Sequence, residues 1–167
     1  MELKYTDLHR VASTAIIRRD GKYLITRRSL EKKSSPGKWT VPGGGLETDD
    51  YVNGPPSTKD GKQWYGAVEK SLRREILEET GLEVTDLQYL LSLTFIIPNG
   101  TPAVVLSFYA DWKLGEVVLN NESIGYAWVT PAEAKGYDLI DGIAEEIEMA
   151  DQAIQETLAR RTGYGVA

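Results

Sequence analysis

The chain contains no cysteine, and among its 167 residues there is a single histidine, His9. The first absence removes disulfides, thiolate metal sites and thiol nucleophiles together. The second excludes zinc sites built from several imidazoles and would force a histidine-based triad to draw on a residue close to the N-terminus. Long apolar runs are also missing: no stretch approaches the roughly 18 residues that a membrane span requires. The opening "MELKYTDLHR" lacks the apolar core of a signal peptide, so a cytoplasmic protein is the expectation. Basic charge is scarce, with 19 Lys and Arg against 25 Asp and Glu, a net of −6. Polymeric nucleic acid is therefore not an expected partner, because its binders neutralise phosphates with a basic surface. Small phosphorylated ligands stay open, since a metal can neutralise them locally. Carboxylates must carry most of the chemistry.

What is present reads as one globular domain, residues 1–167, of ordinary composition: 41% apolar and 26% charged. Two β-branched runs, Val11 to Arg18 and Tyr23 to Arg28, flank Asp20-Gly21, a dipeptide suited to a tight hairpin. "WTVPGGG" reads as a short strand ending in a glycine turn. The spacing predicts a helix over Ala67 to Thr80, stopped by Gly81. A second hairpin follows in "LQYLLSLTFIIP" and "AVVLSFYADWK", turning at "NGT", and "YAWV" is a further strand. Thr130, Pro131 and Glu133 make a capping box. Ile140, Ile143, Ile147, Ala150, Ile154 and Leu158 recur at helical spacing in a terminal helix that covers a sheet. Hairpins with interspersed helices and no regular βαβ alternation give an α/β chain of the α+β type, a mixed β-sheet between helices.

Within "SLRREILEETGL", Glu75, Glu78 and Glu79 stand at i, i+3 and i+4 and project from one helix face. Like charges so placed repel by a few tenths of a kcal/mol per pair, roughly, and call for solvent, a cation or a bound metal. Clustered oxygen donors without His or Cys suit Mg²⁺ or Mn²⁺. The plainer alternative is a solvated acidic face with Arg74 pairing to Glu78 four residues on. Val68, Leu72 and Ile76 lie on or beside the same side, which sets part of the acidic face at the border of the core, where unpaired carboxylates are costly.

"REILEETGL", Arg74 to Leu82, resembles the second half of the Nudix box, G-x₅-E-x₇-R-E-U-x-E-E-x-G-U with U a bulky aliphatic. Arg74, Glu75, Ile76, Glu78, Glu79, Gly81 and Leu82 meet every fixed position of that half. "GKWTVPGGGLE" is similar to the family's lead-in, and the likeness runs on through "YLITRRS" and "ESIGYAWVTPAEA". The departure is in the middle. Counting from Gly44, the first glutamate of the box falls on Asp50, with Asp49 and Glu47 as alternatives, and 23 residues separate Asp50 from Arg74 where the family has seven. A 16-residue insertion, the loop at about 51–66, is the result.

The resemblance implies a Nudix-like α/β/α sandwich and a Mg²⁺-dependent (or Mn²⁺-dependent) pyrophosphohydrolase that cleaves the diphosphate of a nucleoside diphosphate linked to X. A nucleoside triphosphate or a nucleotide sugar would be the small-molecule partner. By the same resemblance Glu75, Glu78 and Glu79 hold the metal, with Glu122 as a further ligand or general base and Glu116 as its fallback. Arg28 meets phosphate while Arg27 points to the opposite face, Gly44 allows close backbone approach, and Asp141 or Asp138 reads the base. Pro98 lies near where ADP-ribose-cleaving members carry a proline, although "IIPNGTP" is also explained as a turn. Arg74, Gly81 and Asp50 are structural in the motif. Trp64 and Tyr65 either stack on substrate from a lid or staple the first turn of the helix. A non-catalytic nucleotide-binding module of the same fold and an ADP-ribose pyrophosphatase are the alternatives, and a homodimer is left open.

Overall fold

The computed structural model describes Lys4 and residues 8–163, with side chains through Arg161. Apart from Lys4, the opening stretch read above for targeting signals lies outside the described residues up to residue 7. Twelve elements follow in order: β1 (Arg10–Arg19), β2 (Lys22–Arg28), β3 (Trp39–Thr40), β4 (Gly43–Gly45), α1 (Asp49–Val52), α2 (Ala67–Thr80), β5 (Glu83–Val84), β6 (Gln88–Ile96), β7 (Pro102–Leu114), β8 (Ser123–Val129), α3 (Pro131–Ala134) and α4 (Ile143–Gly163). Asp20 and Gly21 both take positive φ, 52° and 76°, so the β1–β2 connection is the tight turn that the dipeptide predicts.

The sheet is mixed. β1 runs parallel to β7 from Arg10↔Ala103 to Arg18↔Asp111, while β6 pairs antiparallel with β7 and β8 antiparallel with β2. β1 pairs with β2 at Arg18↔Tyr23 and Arg19↔Lys22, and its first half pairs with β4 at Ala12 to Thr14. This fork is what brings the glycine turn to the middle of the sheet.

Strand alternation sorts the core into two layers. Ile16, Tyr23 and Ile25 pack with Val129, Ala134, Ile143, Ile147, Ala150 and Ile154 under α3 and α4. Ala15, Ile17 and Leu24 pack with Leu72, Ile76, Leu82 and Phe108 under α2. Leu72 and Ile76 are buried, and each contributes about 1.5–3 kcal/mol by leaving water. The result is the helix–sheet–helix sandwich expected from the sequence. Two details differ. Ile140 precedes α4, whose first residue is Ile143, and Leu158 is exposed where the stripe ends.

Thr130 and Glu133 form both bonds of the capping box, as the sequence predicts. A feature the sequence reading passed over is Glu146, buried in the apolar stripe of α4. It accepts from the Ser107 hydroxyl at 2.6 Å, and Ser107 in turn meets Thr14 at 2.8 Å. Burial pushes the Glu146 carboxyl above its usual range, and the Ser107 bond partly offsets the shift.

Candidate active site

Helix α2 owes its position to three residues one helical turn apart. Ser71, Glu75 and Glu79 face the glycine turn, while Leu72 and Ile76 face the core. The Ser71 hydroxyl donates to the Gly45 carbonyl at 3.4 Å, and the Gly43 amide donates to Glu79 Oε2 at 3.0 Å. Between them lies Gly44, so close to Glu75 that an added Cβ would sit 2.2 Å from its carboxyl carbon. Only glycine permits this approach. At the other end Gly81 takes φ 70° and donates its amide to the Leu77 carbonyl, ending the helix.

Gly44→Ala is expected to displace the Glu75 carboxylate while costing little stability, since the flexible end of that side chain can move and φ at Gly44 is unstrained. Paired melting and rate measurements check this: the melting temperature should hold and the rate should fall.

The carboxylates do not all share one outlook. Glu75 and Glu79 are half-buried against the turn, whereas the Glu78 side chain is 55% exposed. Arg74 ties three acids together. Its Nε donates to Asp50 Oδ1 at 2.6 Å, its NH1 to Glu78 Oε2 at 3.0 Å, and its NH2 lies 3.0 Å from Glu75 Oε1. The pairing with Glu78 offered as the plain alternative is therefore present, but as one part of a wider network.

Among the three acids that could occupy the first-glutamate position of the motif, Asp50 is the one bonded to Arg74. It is 8% exposed, and α1 presents it, with its second oxygen also accepting the Glu47 amide at 2.9 Å. The Arg74 hydrogen bond holds the Asp50 carboxyl well below the usual carboxylate range.

An open cavity of about 490 Å³ is lined by Glu47, Asp49, Asp50, Arg74, Glu75, Glu78 and Glu122. Six carboxylates face one guanidinium there, with Glu79 close behind. Burial pushes Glu79 up to about 7; the Gly43 amide opposes the shift, and the charges of Glu75 and Glu122 add to it. Burial also raises Glu75, against the pull of Arg74.

All donors are oxygen, which suits a hard divalent cation. Among the described residues no group of three such side chains is gathered to hold one. Glu75, Glu78, Glu79 and Glu122 are the residues whose oxygen donors could hold such an ion.

Glu122 arrives from the β7–β8 loop. The Ser29 amide donates to its carbonyl at 2.8 Å, and its carboxylate pairs with Lys32 at 2.7 Å. Glu116, the fallback, is directed elsewhere, 3.6 Å from Arg19. Arg28 ends β2 opposite Ser123, beside Glu122, and its Nε donates to the Ser34 carbonyl. Arg27 donates to the Gly37 carbonyl, so both arginines brace the same β2–β3 loop. The β2–β8 register shifts between the two arginines.

Asp138 and Asp141 line a different cavity, shared with Lys38, to which Asp138 is bonded. Pro98 is exposed in the β6–β7 turn, as the turn reading has it.

Trp64 is not among the residues that line the acidic cavity. Its indole donates to the Gly54 carbonyl at 3.0 Å and packs on Tyr51 at 5.6 Å between ring centroids. The insertion is thus pinched shut at its neck, directly after Asp50. Tyr65 is 72% exposed and also outside that lining. The sequence reading missed Lys32, which lies in a charged loop and reaches Glu122 only through tertiary pairing.

Residues 7–153 match the family model described as the NUDIX domain. The chain belongs to the Nudix family. As a Nudix hydrolase it acts on phosphorus-containing anhydrides. It is 27% identical over 135 residues to a protein of Klebsiella pneumoniae named nucleoside triphosphatase NudI, covering 74% of this chain and 84% of that one. The protein of the same name from Escherichia fergusonii is 28% identical at the same coverage. Among solved structures, a MutT protein from Methanosarcina mazei Go1 superposes with a TM-score of 0.65 at 23% identity, covering 87% of this chain and 94% of that one. The NUDIX domain of Shewanella oneidensis NrtR, solved with ADP ribose, gives 0.67 at 16% identity, covering 88% and 89%. At these identities the two structures speak for the fold alone. Among the described residues no helix is long and apolar enough to cross a membrane.

Proposed function

We propose that this Nudix hydrolase is a Mg²⁺-dependent nucleoside triphosphate pyrophosphohydrolase. The observation that carries the metal dependence is the cavity of six carboxylates and one guanidinium, which repels a polyphosphate unless a cation is supplied. Glu75, Glu78, Glu79 and Glu122 are the residues proposed to hold that cation. When bound, it would neutralise the diphosphate and acidify water.

The chain's own groups do the rest. Gly43 and Gly44 hold Glu79 and Glu75 against a turn anchored on β1. Asp50 fixes Arg74, and Arg28 stands at the end of β2 to meet phosphate. Glu79, with its proton affinity near neutrality, suits a group that holds the cation or takes a proton from the attacking water. Asp141, with Asp138 beside it, is proposed to read the base from its cavity next to Lys38.

The triphosphate class is favoured by the name of the relatives matched over most of both chains. The test is product analysis on a panel of nucleoside triphosphates, nucleotide sugars and ADP-ribose, with and without Mg²⁺. Triphosphates should be cut fastest, to the monophosphate and pyrophosphate. Preference for ADP-ribose or a nucleotide sugar would move the enzyme to another substrate class, and tight binding without turnover would leave a non-catalytic module.

A further inference from the structure

Lys32 stands where the proposed reaction needs a movable positive charge. Its ammonium lies 2.7 Å from Glu122 Oε2, with 28% of the lysine side chain and 44% of the glutamate side chain exposed. Beneath this contact the two loops are joined by backbone: the Ser29 amide donates to the Glu122 carbonyl at 2.8 Å, and the Lys32 amide to the Ser29 carbonyl at 3.2 Å. Glu122 is itself fixed by its backbone amide, which donates to Asn120 Oδ1 at 2.9 Å. Main-chain bonds therefore set the distance between the loops, and the side-chain pair can open without moving them. A partly exposed ion pair of this kind is weak and exchangeable. Arg74, in contrast, is already bonded to the buried Asp50 and is not free to move.

We propose that Lys32 is a positioning residue for the substrate phosphates: it pairs with Glu122 in the nucleotide-free protein, and it passes to the incoming diphosphate when Glu122 turns to the divalent cation. The exchange conserves ion pairing throughout. One anionic partner of the lysine replaces another, and the glutamate gains the cation in place of the ammonium. This inference rests on the proposed metal-dependent reading of the site.

Calorimetry on wild type, Lys32→Met and Lys32→Arg tests it with two probes: Mg²⁺ alone, and a nucleoside triphosphate carrying a methylene α,β-bridge in the presence of Mg²⁺. Removing the ammonium frees Glu122, so Lys32→Met should take up Mg²⁺ about two- to five-fold more tightly without nucleotide, the range expected for losing an exposed ion-pair competitor. The same variant should bind the bridged nucleotide about ten-fold more weakly, as for a charged hydrogen bond to phosphate. Lys32→Arg should restore nucleotide binding at least in part. A merely structural lysine would lower both affinities together or neither, and that result overturns the proposal while leaving the metal reading intact. A wild type that takes up no Mg²⁺ overturns both.

Discussion

Glu79→Gln is expected to lower kcat by about 10²–10⁴-fold, the range for losing a group that handles charge or a proton at the reacting centre, while leaving the fold in place. Gln keeps the shape and can still accept the Gly43 amide bond seen at 3.0 Å, so the glycine turn remains tethered to α2. What it loses is the negative charge. A steady-state rate with a parallel thermal melt checks both parts, and a variant that retains more than a tenth of the wild-type rate contradicts the assignment.

The proton affinity of Glu79 adds a pH signature. Because burial raises its carboxyl to about 7, Mg²⁺ must displace a proton below that pH. Metal affinity of the nucleotide-free protein should then weaken as pH falls from 8 to 6. The stability effect has the opposite direction. A raised carboxyl contributes stability that is full below its unfolded value, near 4.5, and that is lost as pH rises through about 7. In metal-free buffer the melting temperature should therefore fall across that window. Glu79→Gln should remove part of the slope, with Glu75 and Glu146, also raised by burial, supplying the remainder.

Arg74→Met should have the largest effect on stability, about 3–5 kcal/mol at pH 7, because it strands a buried carboxylate. Asp50 is 8% exposed and receives two hydrogen bonds from the guanidinium, and Glu75 and Glu78 lose their partner with it. The sign with pH follows from the lowered carboxyl of Asp50. In the wild type its contribution is present above the unfolded value near 3.8 and is lost only as pH falls through the depressed folded value. Without Arg74, burial raises the Asp50 carboxyl against only the Glu47 amide and Ser71 hydrogen bonds, and protonation relieves the cost. The gap between variant and wild type in urea melts should thus narrow from pH 7 to pH 4. The double variant Arg74→Met with Asp50→Asn should recover part of the loss, as expected of directly bonded partners. A constant gap across pH would argue that Arg74 acts through packing alone.

These predictions also show what could be read in the chain before its structure. Helix α2 was legible to the residue, because the apolar stripe of Val68, Leu72 and Ile76 and the terminating Gly81 are local signals that tertiary packing reinforces. The same holds for Asp20-Gly21 and the box at Thr130. Asp50 was visible only as one of three acids, since the 23 residues between it and Arg74, 16 of them inserted, hide which acid the fold returns to Arg74. Trp64 looked like a lid or a staple because an aromatic beside a helix start suggests both. Its actual partner, Tyr51, stands across the loop, where no periodic pattern points. Glu146 hid for the opposite reason: it lies at i+3 from Ile143 in a regular apolar stripe, yet its burial depends on a serine hydroxyl delivered by β7. Local periodicity gave the scaffold, and the pairings that build the site come from chain segments far apart in sequence.

The central claim is that the carboxylate helix and the glycine turn form a cation-dependent diphosphate hydrolase. Its most direct test is to strip the wild-type protein with chelator, assay nucleoside triphosphate turnover by phosphorus NMR, and add Mg²⁺ back. The account predicts no turnover after stripping, and recovery with Mg²⁺ to give monophosphate and pyrophosphate in equal amounts. Undiminished turnover in chelator, or release of nucleoside diphosphate and inorganic phosphate instead, would contradict it.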